Sequence, residues 1–280
     1  MSHRFFSQHP KARSLINGAC TGLCASIVAL AFSNLSIFQT MEHKTWDWRM
    51  KHLTRLTVGE KIVVFHVDQG SLDAMEREGV GWPWFRSIYK HVLDFSERGA
   101  ARAVVFDILF TEPSIWTEFT DDDKLFSEEL RKHKKVYMGA LFSTNPENRE
   151  ADPTRLDPFA ITVQNNSKVP VPIANSVKLP IEDYIEAIHG LGNTIQHPDL
   201  DGVHRRISLF TLYKGKYYPS LPFAVAVDFI GDRSVEITPE NEIAIGDRRI
   251  PLAPDGKMLI HYYGPPLTIQ SFPVAKVIKA

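Results

Sequence analysis

Two apolar, β-branched runs in this chain end on aspartate: Lys61-Ile-Val-Val-Phe-His-Val-Asp68 and Ala103-Val-Val-Phe-Asp107. Such runs read as strands buried on both faces, and open α/β sheets bind ligands beyond the carboxyl ends of their strands. Two carboxylates at one rim could hold a cation or act as general acid and base. Equally, each could cap its own loop by accepting backbone N–H groups. Between the runs, Trp82-Pro83-Trp84-Phe85-Arg86 reads as a helix start with Pro83 at the first helical position. A cation in that first turn opposes the helix dipole. Arg86 is therefore expected to pair with Asp68 or Asp107 as a structural clamp rather than a catalytic one. Of the two tryptophans, one is expected under the sheet and the other lining a pocket or a dimer contact.

A second polar block, Asp199-Leu-Asp201-Gly202-Val203-His-Arg205, shares its Asp-x-Asp-Gly with calcium loops but lacks the rest of their ligand set. It reads as a tight turn feeding a hairpin. The 11 histidines show no close metal-ligand spacing such as His-x3-His. Phosphate loops, nucleophile elbows, kinase motifs and dinucleotide fingerprints are absent from the sequence. No catalytic residue, metal ligand or cofactor is expected.

The elements that must position these residues follow from period and punctuation. Phe85, Ile88, Val92 and Phe95 recur at helical spacing up to Gly99, and Asp121-Asp122-Asp123 stands at the start of a helix through Leu130. Lys135–Phe142 reads as a third strand. Residues 143–172 turn polar, and 206–218 and 242–252 read as hairpins, with an apolar helix over Ser220–Ile230 and a late strand over Met258–Tyr263. The fold class is α/β: a partly parallel βαβαβ sheet with antiparallel C-terminal strands, preceded by a transmembrane helix.

That last expectation rests on Ser14–Met41, which holds no charged residue and exceeds the roughly 20 residues a helix needs to cross a bilayer. Arg4, Lys11 and Arg13 precede it, which places the N-terminus in the cytoplasm and residues 41–280 outside the cell membrane. A cleaved signal peptide ending near Ala29-Leu30-Ala31 would export the same residues. Cys20 and Cys24 both lie in this segment, leaving the exported part free of thiols. Gly18, Gly22 and Ser26 at every fourth position would suit a homodimer contact. The net charge of −1 and scattered Lys and Arg exclude a nucleic-acid footprint.

In order and spacing, several blocks resemble the type-2 CHASE domain, the second family of cyclase/histidine-kinase-associated sensory extracellular domains. They are Asp47-Trp-Arg49, Val67-Asp68-Gln-Gly-Ser71-Leu72, Trp82-Pro83-Trp84-Phe85-Arg86, Phe106-Asp107-Ile-Leu-Phe110-Thr-Glu112, Asp121–Leu130, Asp199–Arg205, Pro219-Ser220-Leu221 and Ile260-His-Tyr262-Tyr-Gly264-Pro265. The resemblance covers roughly residues 40–270. It implies a basic cytoplasmic tail (1–13), a membrane anchor (14–40), a stalk (41–58), an extracytoplasmic sensory domain (59–272) and a connection to further segments (273–280). The chain would then be the input domain of a longer receptor, or a truncated form of one. A class III adenylate or guanylate cyclase is the first expected output, and a histidine or Ser/Thr kinase the alternative. A small-molecule or protein signal would bind at a rim of Asp68, Ser71, Trp82, Trp84, Arg86, Asp107, Asp201 and Arg205. A reading of another class is an exported metal-dependent hydrolase using Asp68, Asp107 and Asp201.

Overall fold

The computed structural model describes residues 10–33, 36–53, 59, 61–115, 121–133, 135–145 and 153–280. In chain order the helices and strands begin with α1 (Pro10–Ser33), α2 (Ser36–Leu53), β1 (Val64–His66) and α3 (Gln69–Glu76). A 3-10 turn, Arg86–Tyr89, leads into α4 (Lys90–Arg98), followed by β2 (Val104–Phe106), α5 (Asp122–Lys132) and β3 (Val136–Ser143). Next come α6 (Pro153–Leu156), β4 (Thr162–Asn165), β5 (Ser176–Lys178), α7 (Glu182–Ile185), β6 (Gly190–Asn193), β7 (Arg206–Ile207), β8 (Phe210–Tyr213) and β9 (Lys216–Pro219). The last are α8 (Leu221–Ile230), β10 (Ser234–Ile237), β11 (Glu242–Ile245), β12 (Arg248–Pro251), β13 (Met258–Leu259), β14 (Ser271–Pro273) and α9 (Val274–Ile278).

The chain divides into two units, Met1–Gly59 with His261–Thr268, and Glu60–Ile260 with Ile269–Ala280. In the first unit, Pro10–Ser33 and Ser36–Leu53 are helical, but the transmembrane helix expected over 14–40 is not supported. Among the described residues, no helix is long and apolar enough to cross a membrane. The expected span 14–40 is shared between two helices, and residues 34–35 lie outside the described ones. Within α1, Lys11 and Arg13 precede an apolar stretch diluted by Asn17, Gly18, Thr21, Gly22 and Ser26. The Thr21 and Ser26 hydroxyls bond back to Asn17 and Gly22 carbonyls.

In the second unit β3 is the organising strand, buried along nearly its whole length as its unbroken apolar sequence requires. β2 lies parallel to it with Val104 opposite Val136, and β6 lies parallel with Tyr137 opposite Gly190. β5 runs antiparallel along its far end. β1 departs from the sequence reading: it belongs to no ladder with β2 and pairs in parallel with β14. The cause is the helix that follows β14. Val274, Ala275 and Val277 of α9 are buried, and α9 packs on α3 and α4, so docking that helix brings residues 271–273 alongside β1. The domain boundary expected at 272 thus falls inside β14.

A second sheet has the order β12-β11-β10-β4, antiparallel except for the β10–β4 pair. Phe223 and Val227 of α8 join Val235, Ile237, Ile243 and Ile245 from it in one apolar cluster. β8 and β9 form the expected hairpin, whereas the late strand shrinks to Met258–Leu259, paired with β7.

The main core is aromatic. Tyr89, Phe106, Phe110, Phe126 and Tyr184 meet mostly edge to face, with Phe126 and Tyr184 centroids 5.3 Å apart and Tyr89 and Phe110 5.4 Å apart. Such offset geometry suits ring quadrupoles. Elsewhere the packing is set by backbone approach. A Cβ on Gly192 would lie 2.3 Å from Leu221 Cα and 2.5 Å from its nitrogen, because the start of α8 sits directly on β6. Gly192→Ala is expected to destabilise the protein by about 3 kcal/mol or more through overpacking. An unchanged urea midpoint would contradict this close approach.

Candidate functional site

Val67–Leu72 turns from β1 into α3, and Asp68 is the N-cap residue: its Oδ1 accepts from the Ser71 nitrogen at 2.8 Å. Hydrogen bonds from Ser71 hold the Asp68 carboxyl below its ordinary value. His66 Nε2 lies 3.7 Å from the other oxygen. Ser71 is buried, and its hydroxyl oxygen accepts from the Ala275 nitrogen at 3.3 Å. The block therefore works as a joint between the first strand–helix turn and α9. Of the two readings of Asp68, loop capping is the one the structure bears out.

Of the two tryptophans, Trp84 is the one buried in the core, while Trp82 is exposed, and their rings meet edge to face at 5.3 Å. Pro83 does not open the helix. It follows a cis Trp82–Pro83 peptide bond, and Phe85 is the N-cap residue. The helical turn begins at Arg86.

The Arg86 clamp has a different partner from the one expected. The Arg86 guanidinium stacks over Phe110, 5.0 Å from the ring centroid, and Nη2 donates to the Glu112 carbonyl at 3.3 Å. Neither Asp68 nor Asp107 reaches it. Asp107 is exposed after β2, with no hydrogen bond or ion pair among the described residues. The carboxylate at the helix start is Asp122: it accepts from the Arg86 nitrogen, from the Ser87 nitrogen at 2.8 Å and from the Ser114 hydroxyl at 2.6 Å. Next to it, Asp123 accepts from the Ser114 nitrogen at 2.8 Å and from the Tyr184 hydroxyl at 2.5 Å.

Asp122 is 1% exposed. Burial by itself would raise its pKa, but the hydrogen bonds from Ser114, Ser87 and Arg86 outweigh that and hold it below the ordinary 3.8. Burial and then the bond to Asp123 push the Tyr184 hydroxyl far up, so it stays a donor. Both aspartates also stand in the first turn of α5, where the dipole favours anions. The sequence reading had them serving their own helix only. Three consecutive acids where one cap suffices was the available signal of a further role.

The Asp199–Arg205 block closes on itself. Arg205, 2% exposed, is bidentate to Asp201 at 2.9 and 2.8 Å and reaches Asp199 at 3.0 Å. Arg206 holds the other Asp199 oxygen at 3.1 Å. Hydrogen bonding from Arg205 lowers the Asp201 carboxyl to about 2. Gly202, at φ +80°, makes the turn. No calcium-loop geometry is formed, and the turn reading stands. A further network escaped the sequence: Asp228 on α8 accepts from the Tyr137 hydroxyl at 2.6 Å, pairs with His189, and meets Arg233 Nη2 at 3.2 Å. It ties α8 to β3.

The chemistry these sites share is acceptance of N–H and O–H groups by carboxylates, with Asp107 the exception. Asp68, Asp107 and Asp201 do not converge, since none is bonded to another and no metal-ligating cluster among the described residues includes any of them. The model of the CHASE2 domain family matches residues 22–280. The chain belongs to the CHASE2 family. CHASE2 domains are extracellular sensory domains of signalling receptors. No curated protein and no solved structure matches the chain. In this CHASE2 domain the aspartate-ended β1, the Trp-Pro-Trp block and the Asp-x-Asp-Gly-Val-x-Arg loop each fix a turn or helix end. Trp82, Asp107 and Ile115 are left exposed beside them.

Asp122→Ala removes the acceptor of three donors and is expected to cost about 3 kcal/mol in urea unfolding. Because the Asp122 pKa in the folded state lies below its unfolded value, its contribution is complete above about pH 4. It is lost as the pH falls through the lower, folded-state value. Asp122→Asn should therefore lose less stability than the parent between pH 4 and pH 2; parallel curves would contradict the assigned hydrogen bonds.

Proposed function

We propose that this chain is the input domain of a receptor whose output is a class III adenylate or guanylate cyclase. The observation that carries the reading is the CHASE2 match over residues 22–280. The cyclase output follows from the association of such domains with cyclases, and a histidine or Ser/Thr kinase output is the alternative. The signal is a small molecule or a protein, met by exposed side chains that the caps and ion pairs leave free: Trp82 offers an aromatic face and Asp107, after β2, a carboxylate. These residues have no catalytic part in the proposal, and Gly18, Gly22 and Ser26 of α1 supply a homodimer contact.

The way α9 is held supports an input role. Residues just before it pair with β1, and the Ala275 nitrogen bonds to Ser71. A ligand that reshapes the 67–72 turn would thus act directly on the segment 271–278. An exported hydrolase using Asp68, Asp107 and Asp201 has no such support, because these carboxylates are separate and two of them already serve as a cap and an arginine partner.

Immunoprecipitation from the native cell with an antibody against residues 61–280 tests the proposal. The expected product is far longer than 280 residues and carries adenylate or guanylate cyclase activity. A native product of this length, with no cyclase activity in the precipitate, would remove the cyclase reading. Kinase activity in the precipitate would replace it with the alternative.

A further inference from the structure

Helices α4 and α5 bring together three side chains that neither the core nor the Asp122 network uses. Asp94 comes from α4, Glu129 from α5, and His133 is the C-cap residue of α5. One oxygen of each carboxylate and one ring nitrogen of the histidine lie within 4.8 Å of one another. Glu129 and His133 share a helix face at i, i+4 spacing. Asp94 comes from a different helix, so its convergence with them follows from packing and not from helical periodicity.

We propose that Asp94, Glu129 and His133 form a binding site for a divalent transition metal of the zinc type. Donor atoms about 2.0–2.2 Å from a tetrahedral ion lie roughly 3.3–3.6 Å apart, so the side chains must draw in by about an ångström on binding. One imidazole nitrogen and two carboxylate oxygens are donors that zinc takes, and three of them leave a fourth position for water. An imidazole ligand argues against calcium or magnesium, which take oxygen.

The surroundings of His133 fit a ligating imidazole. Its Nε2 is 4.0 Å from Asp94 Oδ1, and its Nδ1 is 3.8 Å from Glu97 Oε2. One nitrogen thus faces the proposed ion, and the other faces a carboxylate that can orient the ring, the arrangement second-neighbour carboxylates give metal-bound histidines. The His133 and Glu129 side chains are only 11% and 14% exposed, so the site is partly shielded from water. Lys90 and Lys132 compete for Glu129, at 3.5 and 2.7 Å from the same oxygen, Oε1. Both lysines are substantially exposed, at 46% and 64%, and can return to water when an ion supplies the counter-charge. The proposal does not depend on the signalling output, and its test reads metal binding alone.

Calorimetric titration of the full chain with zinc chloride, with calcium chloride as a comparison, tests it. The expected result is saturable zinc binding that His133→Gln and Asp94→Asn each weaken about tenfold or more, and that calcium does not reproduce. Circular dichroism checks the fold of each variant. If His133→Gln does not fold, Asp94→Asn decides, because that side chain is half-exposed. Cys20 and Cys24, exposed on α1, are a second potential zinc-binding pair, so the titration is repeated with Cys20→Ser/Cys24→Ser. Retained binding in that variant supports the site. Binding lost with the cysteines, binding unchanged by the folded variants, tighter binding of calcium, or no saturable binding up to about 1 mM zinc would overturn it.

Discussion

The carboxylates of Asp122 and Asp123 join three segments that are remote in sequence: the start of the helix at Arg86, the loop at Ser114 and the Tyr184 hydroxyl. They sit at the start of their own helix while capping another, so two positive helix ends share one pair of anions. Behind these donors lies an aromatic core, and a buried charge without them would be costly. With them, the core of Tyr89, Phe106, Phe110, Phe126 and Tyr184 has a defined register. The Arg86 guanidinium lies over Phe110, where the ring face receives it.

Much of this order could be read in advance, and the failures have a common form. The strands at 136–143, 190–193 and 242–251, the hairpin at 210–219 and the helix at 221–230 follow from patterns local to each segment. What the local patterns cannot contain is choice of partner. β1 looked like the neighbour of β2, but a strand of three residues specifies no neighbour; the burial of Val274, Ala275 and Val277 does. Arg86 was expected to pair with Asp68 or Asp107, but its guanidinium lies over Phe110 and donates to the Glu112 carbonyl, and it is the backbone nitrogen of Arg86 that meets a carboxylate, Asp122. Only the packing of α5 on the 86–89 turn selects Asp122. The anchor expected over 14–40 rested on composition, but an absence of charge did not make a span, because small and polar residues dilute the apolar surface of α1.

Family membership and structure bear on different questions here. The CHASE2 match covers nearly the whole chain and supplies the sensory class. Its most specific blocks prove to be mechanical: the Val67–Leu72 turn grips α9, the Trp-Pro-Trp block seats one indole in the core, and the Arg205 loop locks a turn. Such devices set where turns and helices lie, and they leave other side chains exposed: Trp82 stands in solvent while Trp84, two residues on, is buried in the core.

The parallel β1–β14 pair also has a kinetic side. Ser71 and Ala275, joined by a hydrogen bond, stand 204 positions apart. Loop closure of that span must precede the contacts that reward it, which makes it a slow step. During export, the first strand of the domain would remain without its neighbour until almost all of the domain had emerged. Its unpaired edge would meanwhile be open to other chains. Assembly of this sensor is thus vectorial but completed last at its beginning, and an unfinished chain would leave β1 without β14.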